Sequence, residues 1–192
     1  MPMTWSSMCR TREQAEAALA RLRELLGELG LEPKESKTRI VHLVEGGQGV
    51  DFLGFHNRLV RGRTPRSAHL TFLARWPARK AVQHARERIR QITARSRLLL
   101  PVEVIVQELN WFLRGWAGYF RYGKSAVILG QIRNHALQRL GIWLSKQGNR
   151  RRAWRWGVGQ VLRSPDNLGL ISLDGIVVPP RPFRDWRAER RR

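Results

Sequence analysis

Cysteine is nearly absent. Cys9 is the only one in 192 residues, so no disulfide can close within the chain, and a reducing, cytoplasmic setting is the expectation. No stretch approaches the roughly 18 consecutive apolar residues that a membrane-crossing helix needs, and the first residues hold no apolar signal segment. The chain is therefore expected to be soluble, with no membrane partner. The five histidines, at 42, 56, 69, 84 and 135, fall at no metal-ligand spacing, which argues against a metal site. Cys9 has no neighbouring histidine to activate it and is expected to be a buried, inert thiol. Nucleophile elbow, phosphate loop and dinucleotide fingerprint are all missing. The glycine cluster of Glu45–Gly49 precedes no helix and reads as a turn. Glu24 and Glu28, paired at i,i+4, lie on the outer face of a helix and read as solvated. No catalytic residue, metal or cofactor is expected.

Carboxylates are also scarce, and unevenly so. Residues 1–57 hold seven Lys and Arg against eight Asp and Glu, a net charge of −1; residues 58–192 hold 29 against seven, a net charge of +22. A neutral piece is thus joined to a strongly basic one, which calls for a polyanionic partner. Arginine outnumbers lysine 31 to five, which favours phosphate forks and stacking, although a GC-rich genome produces the same bias. With 42% hydrophobic residues and eight tryptophans the chain has the material for a folded core.

Thr11-Arg12-Glu13-Gln14 fits a capping box. Ala15, Ala18, Leu22, Leu25 and Leu29 then follow at helical spacing up to Gly30, a natural stop. Thr38–Val44 and Val50–Phe55 read as the two strands of a hairpin. Residues 58–76 read as a basic linker with one strand at His69–Leu73. Three amphipathic helices are expected beyond it. The first opens at Pro77 with Ala78, Val82, Ala85, Ile89 and Ile92 on its apolar stripe and ends before Pro101. The second carries Val102, Ile105, Leu109, Phe112, Leu113, Trp116 and Phe120. The third carries Val127 or Ile128, then Ile132, Ala136, Leu140 and Trp143, and ends near Gly148. Short connections make these an antiparallel bundle. Beyond it, Leu168–Val178 around Asp174-Gly175 reads as a small hairpin within a basic tail.

On the second helix Gln107, Trp111, Arg114 and Arg121 fall on a line opposite the apolar stripe. A flat ring beside guanidinium forks suits a partner with phosphates and bases; alternatively, Trp111 covers an edge of the core and the arginines are solvated. Trp116 and Trp143 lie on apolar stripes and are assigned to packing.

Leu109-Asn110-x-x-Leu113-Arg114-Gly115-Trp116-x-x-Tyr119-Phe120 resembles the signature of the maturase-specific (thumb, or X) domain of group II intron reverse transcriptases, with Trp111 where that family usually has proline. Leu31-Glu32-Pro33-x-x-Ser36-Lys37-Thr38-Arg39-Ile40 and Asp51-Phe52-Leu53-Gly54-Phe55 resemble the end of the same family's palm. The resemblance implies an α+β chain in four parts. Residues 1–57 would be a palm remnant of helix plus β-hairpin, 58–76 the basic linker, 77–156 a three-helix thumb or maturase domain, and 157–192 a basic C-terminal tail. The family's Tyr-Ala-Asp-Asp motif, whose carboxylates hold catalytic Mg²⁺, would fall by its usual spacing on Met1-Pro2-Met3-Thr4, where neither aspartate stands. A C-terminal fragment without polymerase chemistry is the expectation. The partner implied is structured group II intron RNA, whose splicing the domain supports, or else DNA. The alternatives are a subunit of a split reverse transcriptase, with a separate N-terminal part supplying the palm, and a relic of a mobile intron. The residues expected to bind RNA are Arg79, Lys80, Arg86, Arg90, Gln107, Trp111, Arg114, Arg121, Lys124, Arg150, Arg151, Arg152, Trp154, Arg155 and Trp156.

Overall fold

The computed structural model describes residues 5–62, 64–65, 68–147 and 169–178. Helix α1 (Arg12–Glu28) is followed by strands β1 (Val50–Phe52), β2 (Phe55–Arg61) and β3 (Thr71–Pro77), and then by helices α2 (Arg79–Ile92), α3 (Val102–Phe120) and α4 (Ala126–Gln147). The strands form one antiparallel sheet in the order β1-β2-β3. The chain divides into two compact units, residues 1–53 with 58–72 and residues 54–57 with 73–192. The expected α+β class, with helices bundled after a hairpin, is what the structure has.

In the first unit, α1 begins and ends as its sequence dictates. Thr11 Oγ1 accepts from the Gln14 amide at 3.2 Å, and the Gln14 side chain accepts in return from the Arg10 amide at 3.1 Å. At the other end Gly30 adopts φ +68°, and the amides of Gly30 and Leu31 donate back to the carbonyls of Gly27 and Leu26, which closes the last turn. None of the helix's residues is buried: Ala15, Ala18 and Leu22 are half-covered, and Leu25 and Leu29 are exposed. Cys9, expected to be buried, is only half-covered.

The hairpin lies elsewhere than expected. Residues 38–44 form no strand; β1 and β2 are joined instead by Leu53-Gly54. Both adopt positive φ, +46° and +77°, the pairing that a two-residue turn requires to match strand twist. The second hairpin, β2-β3, occupies much of residues 58–76, where only a linker with one strand was expected. Arg58 and Arg61 hid it, because charges three residues apart do not follow the two-residue alternation of a strand, yet both are spoken for. Arg58 donates to the Gly46 carbonyl at 2.8 Å, and Arg61 pairs with Glu45 at 2.6 Å. The expected turn of Glu45–Gly49 is thereby tied to β2.

In the second unit α2, α3 and α4 share one core. Pro77 closes β3 rather than opening α2, because the amide of the next residue, Ala78, is committed to the Gly54 carbonyl at 2.7 Å. Ala78 stays extended (ψ 154°), so the helix starts at Arg79. It stops at Ile92, well before Pro101, where Thr93 Oγ1 turns back to the Ile89 carbonyl at 2.8 Å. The α3 stripe is as the spacing predicts: Ile105, Leu109, Leu113, Trp116 and Phe120 are buried, with Val102 and Phe112 packed at the edge. On α4, Ile132, Ala136, Leu140 and Trp143 are buried, and Ile128 rather than the exposed Val127 completes the stripe. Phe120 at the end of α3 lies near the start of α2, by way of Gly54, while Gln147 at the end of α4 donates to the carbonyls of Leu98 and Leu100 beyond the end of α2. The helices therefore run up, down and up.

Residues 168–178 were expected to pair with themselves as a hairpin; Leu168 lies outside the described residues. Asp174-Gly175 does turn, but the bridge that forms is parallel and joins Val178 to Tyr122. Leu170 and Leu173 are buried in the helical core. Asn110 holds the segment from α3, donating to the Gly169 carbonyl at 2.7 Å and accepting from the Ile171 amide at 2.9 Å, and Arg133 of α4 pairs with Asp174 at 3.2 Å.

Candidate nucleic-acid interface

Helix α3 has its apolar stripe committed to the core, so whatever stands opposite is presented outward. Gln107, Trp111, Arg114 and Arg121 are all exposed. Trp111 is 62% exposed, against 8% for Trp116 and 1% for Trp143, which divides the three tryptophans as their spacing predicted. Gln107, Trp111 and Arg114 come together with Glu103, Val106 and Asn110 around a surface concavity of about 350 Å³. Val106 gives it an apolar floor, Trp111 an indole face and Arg114 a guanidinium with no partner among the described residues. Asn110 is not available to a ligand, since both ends of its amide are used on residues 169–171.

Arg121, on the same line, is otherwise engaged. Its guanidinium lies 5.1 Å from the Tyr122 ring centroid and donates to the Tyr122 hydroxyl at 3.0 Å, while Arg75 of β3 stands 5.7 Å from the same ring. Each contact is of the cation–π kind. Lys124 is exposed, and its amide donates to the Arg75 carbonyl. Between them Gly123 adopts φ +86°, and a Cβ there would collide with the Arg75 carbonyl oxygen; only glycine lets the chain pass so close to β3.

Arg79, Lys80, Arg86 and Arg90 are exposed on α2. Arg79 and Lys80 occupy the first turn, which has no acidic residue, so two cations sit at the positive end of the helix dipole, where they oppose helix stability. Arg86 and Arg90, one turn apart, come together with His135 and Arg139 of α4, two residues the sequence did not single out. The Arg139 guanidinium donates to both the hydroxyl and the carbonyl oxygen of Thr93 at 3.2 Å, capping α2. Burial and the nearby Arg90 lower the Arg139 pKa from its ordinary value. His135 is held below the ordinary imidazole range by burial first and by Arg90, Arg86 and Arg139 after it. The signal for this pair was its i,i+4 spacing on a helix without a single acid, visible only once α4 is laid beside α2.

A pair of opposite charges joins α3 to the end of α2. Arg97 grips Glu108 with both nitrogens and reaches the Ile92 carbonyl at 3.2 Å. The hydrogen bonds from Arg97 lower the Glu108 pKa, outweighing its partial burial. Arg150, Arg151, Arg152, Trp154, Arg155 and Trp156 lie outside the described residues. Among the described residues no three metal-ligating side chains cluster, and no helix is long and apolar enough to cross a membrane.

The fold and this surface define a class: a basic three-helix unit that follows a β-hairpin in the chain, with its middle helix showing an aromatic and cationic face. The family follows from the sequence of the helices themselves. Residues 82–161 match the family model of the group II intron, maturase-specific domain, and the chain carries a domain of that family. The matched stretch begins within α2 and takes in α3 and α4. No curated protein matches the chain.

Proposed function

We propose that this protein binds structured group II intron RNA and supports its splicing, and that it does so without polymerase chemistry. The observation that carries the reading is the exposed Trp111 beside Arg114 and Gln107, on the middle helix of a maturase-specific domain. Such a face combines the two things RNA loops offer, phosphates and unstacked bases. The charge is sufficient. With +22 on residues 58–192, engaging about six to ten phosphates is ordinary. Charge alone does not choose one polyanion over another, so preference for the intron rests on the shape of the bundle and on its stacking residues. Arg79, Lys80, Arg86 and Arg90 on α2 and the cluster at 150–156 would add backbone contacts. Arg121 and Lys124 would contribute charge from the end of α3. DNA would compete through the same charge.

The test is direct binding of a group II intron RNA against an unrelated folded RNA of the same length, each under competition by excess bulk RNA, together with a splicing assay on the same intron. Retained binding to the intron and faster splicing support the proposal. Equal affinity for both RNAs, with splicing unchanged, would reduce the protein to a general polyanion binder.

A second reading has its own observation. In the first unit Trp5, Met8, Leu25, Leu29, Leu31 and Ile40 are all exposed, and among the described residues of that unit none is buried. A separate polypeptide carrying a reverse transcriptase palm would cover such a surface, making this chain one part of a split enzyme. Primer extension by the chain alone, and then mixed with such a polypeptide, separates the two readings.

A further inference from the structure

We propose that Arg86, Arg90, His135 and Arg139 form a proton-linked site in the seam between α2 and α4, and that it takes a backbone phosphate of RNA. The proposal rests on the reading of the chain as an RNA-binding protein, and it adds a place and a chemistry that this reading does not contain.

Two i,i+4 pairs supply the geometry. Arg86 and Arg90 stand on successive turns of α2, His135 and Arg139 on successive turns of α4, and the two helices run in the same direction. Hydrogen bonds from Arg139 to Thr93 at 3.2 Å fix the register between them. Among the described residues the charged groups acting on His135 are Arg90 and Arg86 from α2 and Arg139 from its own helix, all of one sign. Among the described residues no carboxylate acts on His135. Helix α4 contains none, and the single one on α2, Glu87, accepts from Gln83 at 3.3 Å. Like charges gathered without a counter-ion raise the energy of the unliganded protein and prepare it for an anion.

The roles divide by exposure. Arg86 and Arg90 are exposed and can present guanidinium forks to phosphate oxygens. Arg139 is partly buried, with its hydrogen bonds turned to Thr93. His135 lies beneath, its ring against the Arg86 backbone carbonyl and its Nε2 buried with no hydrogen-bond partner among the described residues. Burial first, and the three flanking cations after it, hold the imidazole below its ordinary range in the free protein. An anion seated on Arg86 and Arg90 offsets the repulsive part of that depression, so the ring takes up a proton at a higher pH than in the free protein. His135 is accordingly a positioning residue that adds charge under the phosphate.

The sign follows from linkage. Binding moves the His135 pKa upward, so affinity is lowest at high pH, climbs as pH falls through the bound-state pKa, and levels off below the free-state pKa. A shift of one unit corresponds to a tenfold limit.

The experiment measures affinity for a fixed folded RNA from about pH 8 down to about pH 5.5 at constant ionic strength, in the full chain and in His135→Asn. Calorimetry in two buffers of different ionisation enthalpy counts protons taken up. The wild-type chain should gain about three- to tenfold more than His135→Asn over that range, with extra proton uptake that the variant lacks. The other histidines contribute equally to both and drop out of the difference. The His135 ring is also followed by NMR in the wild-type chain with and without RNA, which keeps the test intact if His135→Asn fails to fold. Its pKa should rise on binding, and Arg90→Gln should raise it in the free protein. Identical pH profiles, or a His135 pKa that RNA leaves in place, overturn the proposal while the RNA-binding reading stands. Absence of RNA binding at every pH sinks both. If inorganic phosphate alone produces the same uptake at His135, the site takes free anions, and its assignment to the RNA backbone is wrong.

Discussion

Asn110→Ala should loosen the docked segment 169–178 without unfolding α3. The amide makes two hydrogen bonds, to the Gly169 carbonyl at 2.7 Å and from the Ile171 amide at 2.9 Å. At about 0.5 to 1.5 kcal/mol net for each, their removal costs about 1 to 3 kcal/mol. The two partners differ in what they lose. Gly169 is exposed and its carbonyl can turn to water, whereas Ile171 is half-buried, so its stranded N–H contributes the larger part. Leu170 and Leu173, flanking Ile171, are 4% and 2% exposed and come out of the core if the segment lifts. Asn110→Asp discriminates further, since a carboxylate still accepts from Ile171 but faces the Gly169 oxygen as one acceptor to another; it should lose about half as much. Denaturant unfolding gives the total, and hydrogen exchange on the amides of 169–178 gives the local part, about tenfold in protection for each 1.4 kcal/mol. If Asn110→Ala stays within about 0.5 kcal/mol of the wild-type chain and exchange in 169–178 is unchanged, the side chain does not hold the segment, and this account of the signature asparagine fails.

Gly123→Ala should destabilise the chain by about 2 to 4 kcal/mol, from left-handed backbone strain plus collision with the Arg75 carbonyl; thermal denaturation of the variant checks it, and a loss under about 0.5 kcal/mol would mean that the backbone there is free to move. Glu108→Gln should cost on the order of 1 to 2 kcal/mol at neutral pH. Because the folded-state pKa of Glu108 is lowered, its contribution is complete above the unfolded carboxylate pKa and is lost as pH falls through the folded value. The wild-type and Glu108→Gln stabilities should therefore converge in acid, and a gap that persists there would refute the pairing. Amides of α1 should exchange well before those of α3, since α1 buries nothing while α3 buries seven residues; equal protection in a monomer would show that the first unit has a core of its own.

The helices were legible because their apolar residues recur at helical spacing over long stretches. That pattern alone separated Trp111 from Trp116 and placed α3 to begin just after Pro101. The strands were harder to read. Leu53 adopts φ +46°, a conformation that a branched residue seldom takes, and without that knowledge Val50–Phe55 reads as one strand instead of two joined by a turn. Arg58 and Arg61 made β2 look like a linker because their partners, Gly46 and Glu45, lie more than ten residues away. Distance in sequence also hid the clamp from Asn110 to Ile171 and the meeting of Arg86 and Arg90 with His135 and Arg139. Spacing within one helix reports the face a residue occupies; what stands opposite that face is a property of the packing.

The central claim is that α3 offers RNA a stacking face beside its charge, and Trp111→Ala tests it. The ring is mostly exposed, so its loss should leave folding nearly intact while weakening RNA binding by about 1 to 3 kcal/mol, with the slope of log affinity against log salt almost unchanged. Replacing Arg150, Arg151 and Arg152 by alanine gives the contrast, a weaker affinity for every RNA and a shallower slope. If Trp111→Ala instead unfolds the protein and the folded fraction binds RNA as before, Trp111 is a packing residue and α3 presents no RNA-binding face.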